Sequence, residues 1–310
     1  MAKFPIPKIV ISKCIEFEAC RYNGMMERNY FVDKLDYYID FITVCPETAI
    51  GLGVPRHAIQ LRQINGKERL MQLNTGREIT EEILDYSRDF LAELGPVEGF
   101  ILKYKSPTCG PQNVCMYIED PYPLVVDQTS GLFAREILNS YPYYPVIDET
   151  RIKQVRLREP YLTKIFSLAR FREIKKSQNQ KKLKEYHERH KELLLCYNAP
   201  EAKELESLLN CSNDNHPTDI FKMYEMRLFR LLQGRPKQNH LITVLKLLFR
   251  RLNDLDGEEH ELFNEHLMMF SEGRVSFLSI INSLKYWAIR EKNEYLLNQV
   301  ILEPFPAELL

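Results

Sequence analysis

The seven cysteines of this 310-residue chain include no Cys-x-x-Cys pair. Zinc fingers and thioredoxin-like redox centres depend on that spacing and are disfavoured by its absence. An odd cysteine count at irregular intervals argues against a disulfide framework as well. No apolar run approaches the roughly 20 residues needed to cross a bilayer. The opening Met1-Ala2-Lys3-Phe4-Pro5 lacks the long apolar stretch of a secretory signal. A cytoplasmic protein is expected, whose cysteines are buried, metal-binding or catalytic. Internal repeats and low-complexity tracts are also missing. So is net charge: 42 Lys plus Arg against 43 Asp plus Glu leave −1. That total hides an asymmetry. Residues 151–192 hold 14 basic and 5 acidic side chains, an excess of nine. Such a stripe fits either a polyanion site or a solvated helix face.

What is present is a set of three cysteines, each placed after a short β-branched or apolar run. The segments are Ile9–Ser12 leading to Cys14, Phe41–Val44 leading to Cys45, and Gly99–Leu102 running on through Ser106-Pro107-Thr108 to Cys109. Helical stretches separate them, which suggests a parallel sheet. The carboxyl ends of parallel strands open on one edge, where ligands bind. Three thiols far apart in sequence could meet there and hold a metal centre. The competing reading is tight turns around buried cysteines. Among the other cysteines, Cys20 and Cys115 lie close in sequence to the favoured three. Cys196 reads as helix core, and Cys211 sits in a polar loop.

The first 145 residues alternate strand-like and helix-like segments. Helices are expected near Val32–Tyr38, from a Thr80 cap onward to Gly95-Pro96, and over Gly131–Leu138. Gln60–Ile64 and Leu70–Leu73 flank Asn65-Gly66, a favoured hairpin dipeptide. Pro145 and Pro160 punctuate a transition in which strand signals fade. From Lys175 onward the pattern is helical. Pro200 stands in a first turn, and Ile242–Leu252 and Phe277–Arg290 are amphipathic or buried helices. The expected architecture is an α/β domain, Rossmann-like with a mainly parallel sheet, over 1–160, followed by an all-α domain over 161–310.

Several side chains stand out beside the thiols. Cys45-Pro46-Glu47 holds a carboxylate near a strand-end sulfur, and Arg56 could balance anionic charge there. Ser106 and Thr108 bring hydroxyls next to Cys109, able to donate to a sulfur or a substrate. His187 and His190 share a helix face three residues apart. They lack a third ligand nearby, which favours a phosphate-binding or structural role over a metal one.

Taken in order, Ser12-x-Cys14, Cys20-Arg21-Tyr22-Asn23-Gly24, Cys45-Pro46-Glu47 with Gly51 and Pro55-Arg56, and Lys103-x-Lys105-Ser106-Pro107-Thr108-Cys109-Gly110 resemble the thiouracil desulfurase family, once known only as unknown-function family 523. Gly131-Leu132-Phe133-Ala134-Arg135 with Pro145-Val146 resembles that domain's C-terminal end. The likeness spans about residues 7–170. A glycine usual for the family shortly after the first cysteine is replaced here by Glu16-Phe17. Tyr186-His187-x-Arg189-His190-Lys191, Pro200, Tyr295–Gln299, Pro304 and Pro306 resemble the YbgA-type domain (unknown-function family 1722). Two-domain proteins of this kind resemble desulfidases of 4-thiouridine in tRNA.

The resemblance implies a 4Fe-4S cluster held by Cys14, Cys45 and Cys109, with one iron not bound by protein. It implies Glu47 for proton transfer and Ser106 for orienting substrate or sulfur, both as catalytic residues. Arg172, Lys175, Lys176, His187, Arg189, His190 and Lys191 would bind RNA. The implied reaction is non-redox desulfuration giving uridine and hydrogen sulfide. The alternatives are action on free 2-thiouracil or another small thiolated compound, or a non-catalytic RNA-binding protein.

Overall fold

In the computed structural model the described residues are 4–120, 122–210 and 217–310. The chain divides into two compact units, Pro5–Ala169 and Arg170–Glu308, and the division falls within one long helix. Cys211 lies outside the described residues.

The first unit runs β1 (Lys8–Ser12), α1 (Tyr30–Leu35), β2 (Asp40–Val44), α2 (Pro46–Ala49), β3 (Ile59–Ile64), β4 (Lys67–Gln72), α3 (Thr80–Glu93), β5 (Gly99–Leu102), β6 (Val114–Asp120), β7 (Tyr122–Thr129), α4 (Leu132–Ser140) and β8 (Val146–Asp148). One sheet, ordered β2-β1-β5-β8, is parallel throughout. Ile9, Val10, Ile11, Phe100, Ile101 and Leu102 are fully buried in it. Burial on both faces explains why these strands read as continuous apolar runs instead of alternating ones. Ser12 pairs with Val44 and Ile11 with Ile101, so the carboxyl ends of β1, β2 and β5 lie level. Those ends are the points from which Cys14, Cys45 and Cys109 leave.

A second sheet, ordered β4-β3-β6-β7, is mixed. The Asn65-Gly66 turn joins β3 to β4 as the dipeptide suggests, with both residues at positive φ. The β6–β7 hairpin and the short β8 were not legible in the sequence. Val114, Leu61 and Leu70 pack from this sheet against Ile79 and Ile83 beside α3.

Three local expectations are corrected. The first helix starts two residues before Val32, because Asn29 caps it by accepting from the amides of Phe31 and Val32. Thr80 is the first residue of α3 rather than its cap, and its hydroxyl accepts instead from the Leu70 amide at 2.9 Å. Pro160 does not interrupt the chain. It sits in the second turn of the 23-residue helix α5 (Val155–Ser177), where its missing N–H costs one intrahelical bond.

The second unit is helical: the later part of α5, then α6 (Gln180–Tyr197), α7 (Ala199–Asn210), α8 (Pro217–Gln233), α9 (Gln238–Phe249), α10 (Gly257–Ser271), α11 (Phe277–Arg290) and the single turn α12 (Glu294–Leu297). Pro200 stands in the first turn of α7, as expected. Cys196 is fully buried and its thiol donates to the Glu192 carbonyl four residues back, an ordinary core cysteine. No helix among the described residues is long and apolar enough to cross a membrane.

Candidate metal centre and catalytic cavity

A cavity of about 530 Å³ opens at the carboxyl edge of the parallel sheet and is walled on one side by β3 and β6 of the second sheet. Cys14, Cys45, Cys109, Glu47 and Ser106 all line it. So do Cys20, Cys115, Ser12 and Arg56. Among the described residues no three His, Cys, Asp or Glu side chains stand close enough together to hold one metal ion. The thiols are wall groups of a cavity.

Local chemistry fixes each of them. Cys45 is the cap residue of α2, with extended backbone, and Pro46 pre-sets the helical φ behind it. The Thr48 hydroxyl donates to the Cys45 carbonyl at 3.1 Å. The approach to Cys14 is tied by the Lys13 amide to the Val44 carbonyl at 2.8 Å. Cys109 ends a tight turn that Ser106 organises: its hydroxyl oxygen accepts from the amides of Thr108 and Cys109, at 3.2 and 3.0 Å.

The start of α4 locks that turn in place. The amides of Gly131, Leu132 and Ala134 donate to the carbonyls of Gly110, Pro107 and Thr108. A Cβ on Gly131 would lie 2.5 Å from the Thr108 oxygen, and one on Gly110 would lie 2.5 Å from Val114 Cγ2. Only glycine permits either approach. The Gly131–Arg135 motif is therefore the clamp of the Cys109 turn.

Glu47 is held by Arg56. Arg56 Nε donates to Glu47 Oε2 at 2.9 Å, and Nη2 pairs with the same oxygen. Both side chains are nearly buried. Arg56 also donates to the carbonyls of Cys20 and Gly53, at 2.9 and 3.0 Å. One guanidinium thus fixes the carboxylate and the Cys20 backbone together. Glu47 Oε1 has no partner among the described residues.

One participant, Ser12, had no role assigned from the sequence, and a second, Cys20, was left open there. Ser12, fully buried, accepts from the Lys103 amide at 3.0 Å and lines the cavity with Cys109. A serine in a strand of otherwise apolar, fully buried residues was the available signal. Cys20 is 1% exposed and lines the same cavity as Cys14 and Cys45. The neighbouring Cys14 thiol, with burial adding, pushes the Cys20 thiol up to about 11. The Cys45 thiol is raised too, first by the neighbouring Cys20 thiol and then by burial. Burial raises Cys109, with the Glu47 charge adding. Metal-free, these three thiols are protonated at neutral pH, and a metal binding there must release protons.

Glu16, which with Phe17 stands where the family's glycine is usual, has a left-handed backbone conformation (φ 64°). Its carboxylate bonds the Asn29 amide and Arg28 Nη1, contacts that offset the unfavourable backbone geometry. Lys103, at the end of β5, pairs with the buried Glu149 and lies 3.5 Å from Glu27.

The second unit treats its singled-out residues differently. His187 and His190 are buried, which corrects their reading as polyanion contacts. His187 Nδ1 lies 3.0 Å from the Tyr224 hydroxyl. His190 Nδ1 bonds the Tyr186 carbonyl at 2.8 Å, and its ring stacks on Tyr186. Burial lowers the basicity of both imidazoles. Arg172 and Lys176 pair with Glu173, Lys175 with Glu225, and Lys191 with Glu206. Arg189 is exposed, with its Nε toward the Asn298 carbonyl at 3.4 Å. Both α5 and α6 are joined to the C-terminal segment: Gln299 donates to the Glu188 carbonyl and Tyr295 to Glu192 on α6, and Arg170 of α5 donates to the Pro304 carbonyl.

Comparison with known proteins divides the chain in the same two parts. Residues 9–149 match the family model of 2-thiouracil desulfurase, and residues 191–306 match that of a protein of unknown function (DUF1722). Over 110 residues, 33% of this chain and 72% of the relative, the sequence is 27% identical to the uncharacterized protein YbbK of Bacillus subtilis (strain 168). A solved structure of a 4Fe-4S-dependent thiouracil desulfidase, TudS, is similar at 21% identity with a TM-score of 0.37, covering 49% of this chain and 97% of that one. The five strand-end and turn residues that line the cavity all fall inside the first match, and the second match begins at Lys191, the last residue of the α6 motif; the first unit is similar to 2-thiouracil desulfurase and the second to DUF1722 proteins.

Proposed function

We propose that this protein is an iron–sulfur-dependent desulfidase of thiolated uracil, acting without net redox change on 4-thiouridine in tRNA and releasing uridine and hydrogen sulfide. One observation carries the reading: Cys14, Cys45 and Cys109 leave three separate strand ends and reach one cavity beside Glu47. The donor set fits the cofactor, since thiolates are the ligands of iron–sulfur clusters and hydroxyls stand next to their sulfurs. A 4Fe-4S cluster bound by these three would supply a Lewis-acid iron for the substrate's thiocarbonyl sulfur.

The chain's own residues do the rest. Water attacks the ring carbon, the carbon–sulfur bond breaks, a carbonyl forms, and sulfur leaves as hydrogen sulfide. Glu47 Oε1 takes one proton from the attacking water and passes it to the sulfur, then takes the remaining hydroxyl proton as the carbonyl forms and gives it to the leaving sulfur. Arg56 holds the other oxygen and so sets the direction of Oε1. The lone pairs of Ser106 are engaged by two amides, which leaves its O–H free to donate to substrate or sulfur. Tyr22, Tyr104 and Tyr117 line the cavity and supply faces for a pyrimidine to stack on.

RNA would be held by phosphate contacts from the helical unit. Lys181, Lys182 and Lys184 of α6 are exposed and carry no ion pair among the described residues. They serve better than Lys175, Lys176 and Lys191, whose ammonium groups already face carboxylates. Those pairings favour a second reading, in which free 2-thiouracil is the substrate. Sulfide release from thiolated tRNA and from free 2-thiouracil separates the two. The expected result is faster release from tRNA at low salt, declining as salt rises, because phosphate contacts are salt-dependent. Absence of release from tRNA at low salt, with release from the free base, overturns the RNA reading.

A further inference from the structure

Cys14, Cys45 and Cys109 reach the cavity from the parallel sheet, while β3 and β6 form another wall of it. Apart from one stacking tyrosine, the proposed function gives that second wall no task. Of its β3 and β6 residues, Ile59, Leu61 and Val114 are apolar, and Cys115 and Tyr117 carry one polar atom each. Gln60 alone among them carries a donor and an acceptor in one plane. We infer that Gln60 reads the ring of the thiolated pyrimidine, accepting from its N3–H with Oε1 and donating to the adjoining carbonyl with Nε2, and that Arg62 fixes the order of those two groups so that the site takes a uracil edge and rejects a cytosine edge. This rests on the desulfidase reading above and adds to it the ring edge that the site selects.

The periodicity of β3 presents that amide. Ile59 and Leu61 are buried in the apolar core with Ile79 and Ile83. Successive side chains of a strand point to opposite faces, so the half-buried Gln60 and Arg62 share the other face. In the parallel β3–β6 register Arg62 stands beside Tyr117, which sets a stacking surface next to the amide. Arg62 Nη2 donates to Gln60 Oε1 at 3.4 Å. A guanidinium has donors only, so the amide must turn its oxygen toward Arg62 and its NH2 group away. An amide free to flip offers either order of donor and acceptor, and one held by Arg62 offers a single order. Oε1 keeps a second lone pair for a ring N–H, and Nε2 makes no hydrogen bond among the described residues.

A thiouracil whose sulfur faces the thiols presents N3–H and then a carbonyl oxygen along its free edge, whether C2 or C4 bears the sulfur. The Gln60 acceptor meets the N–H, and its donor meets the oxygen. 2-Thiocytosine presents a bare N3 and then an amino group, so each group of the amide faces its like. Once the ring fills the cavity and excludes water, polar groups left unpaired cost more than a good pair contributes. The arrangement therefore acts chiefly by rejection.

The test compares 2-thiouracil with 2-thiocytosine, which share the C2 thiocarbonyl and differ in the edge beyond it. Equilibrium dialysis against metal-free full-length protein reads binding, and sulfide release by anaerobically reconstituted protein reads turnover. Dialysis removes the intrinsic reactivity of the two bases from the comparison. Wild-type protein is expected to prefer 2-thiouracil by about 10- to 100-fold, the discrimination of one bidentate amide–base pair. Gln60→Leu should raise KM for 2-thiouracil with kcat and iron content held, and bring the ratio near one. Arg62→Leu should keep 2-thiouracil and gain 2-thiocytosine, because the amide can then flip. Equal binding of the two bases by the wild type overturns the assignment even if neither variant folds. A preference unchanged in both variants overturns it also. Selective binding without sulfide release from either base overturns the desulfidase reading and leaves Gln60 as the reader, whereas release without selectivity does the reverse.

Discussion

Buried polar side chains occur in both units, but they face different things. In the first unit Cys14, Cys45, Cys109, Glu47 and Ser106 point at a shared space. In the second, His187, His190, Glu192 and Gln299 are more deeply buried and are bonded to Tyr224, Tyr186, Tyr295 and the Glu188 carbonyl. Both sets belong to motifs dense in reactive residue types. The difference is that one set surrounds a cavity while the other ties one helix to the end of the chain. A motif marks residues that cannot be exchanged freely. Only the space in front of them separates chemistry from architecture.

The sharpest way to break that contrast is at the thiols. Cys14→Ala, Cys45→Ala and Cys109→Ala should each reduce bound iron from about four per chain to near zero, read by iron assay and by loss of the visible absorbance. Retention of a full cluster by any one of the three removes that residue from the ligand set. A smaller effect is expected at Glu47. Glu47→Gln should leave iron content unchanged and lower sulfide release by about 10²- to 10⁴-fold, the usual range for a general acid–base group. A parallel loss of iron would mean that Glu47 supports assembly instead of proton transfer.

The helical unit should respond to acid and not to iron. Burial lowers His187 and His190 from their ordinary value of 6.5. Below that value the unfolded chain takes up protons that the folded unit resists, so the unfolded state binds more protons and stability is lost as pH falls. The thermal midpoint of metal-free protein should drop as pH is lowered from 7 to about 5, and His190→Gln should flatten the slope. A midpoint indifferent to pH in the wild type contradicts the buried, neutral imidazoles.

Much of the first unit was legible because its signals are local. β1 and β5 announce themselves as apolar runs, and Asn65-Gly66 as a hairpin turn. Cys45-Pro46 marks a strand end followed by a helix start. The β6–β7 hairpin and β8 were missed since each needs a partner strand from elsewhere to exist. Pro160 misled because proline's cost to a helix is one bond, which a 23-residue helix can bear.

Sequence by itself determined where the strand-end cysteines fall, that a parallel α/β arrangement precedes a helical one, and which residues are too specialised to be filler. Periodicity, turn residues and helix starts act over a few positions, so they can be read without the fold. Tertiary structure alone decided that Cys20 lines one cavity with Cys14 and Cys45, that Arg56 orients Glu47, that α4 clamps the Cys109 turn, and that His187 and His190 are core. Each of those depends on a contact whose partner lies outside the local pattern, and a side chain's surroundings follow from packing, which no single segment specifies.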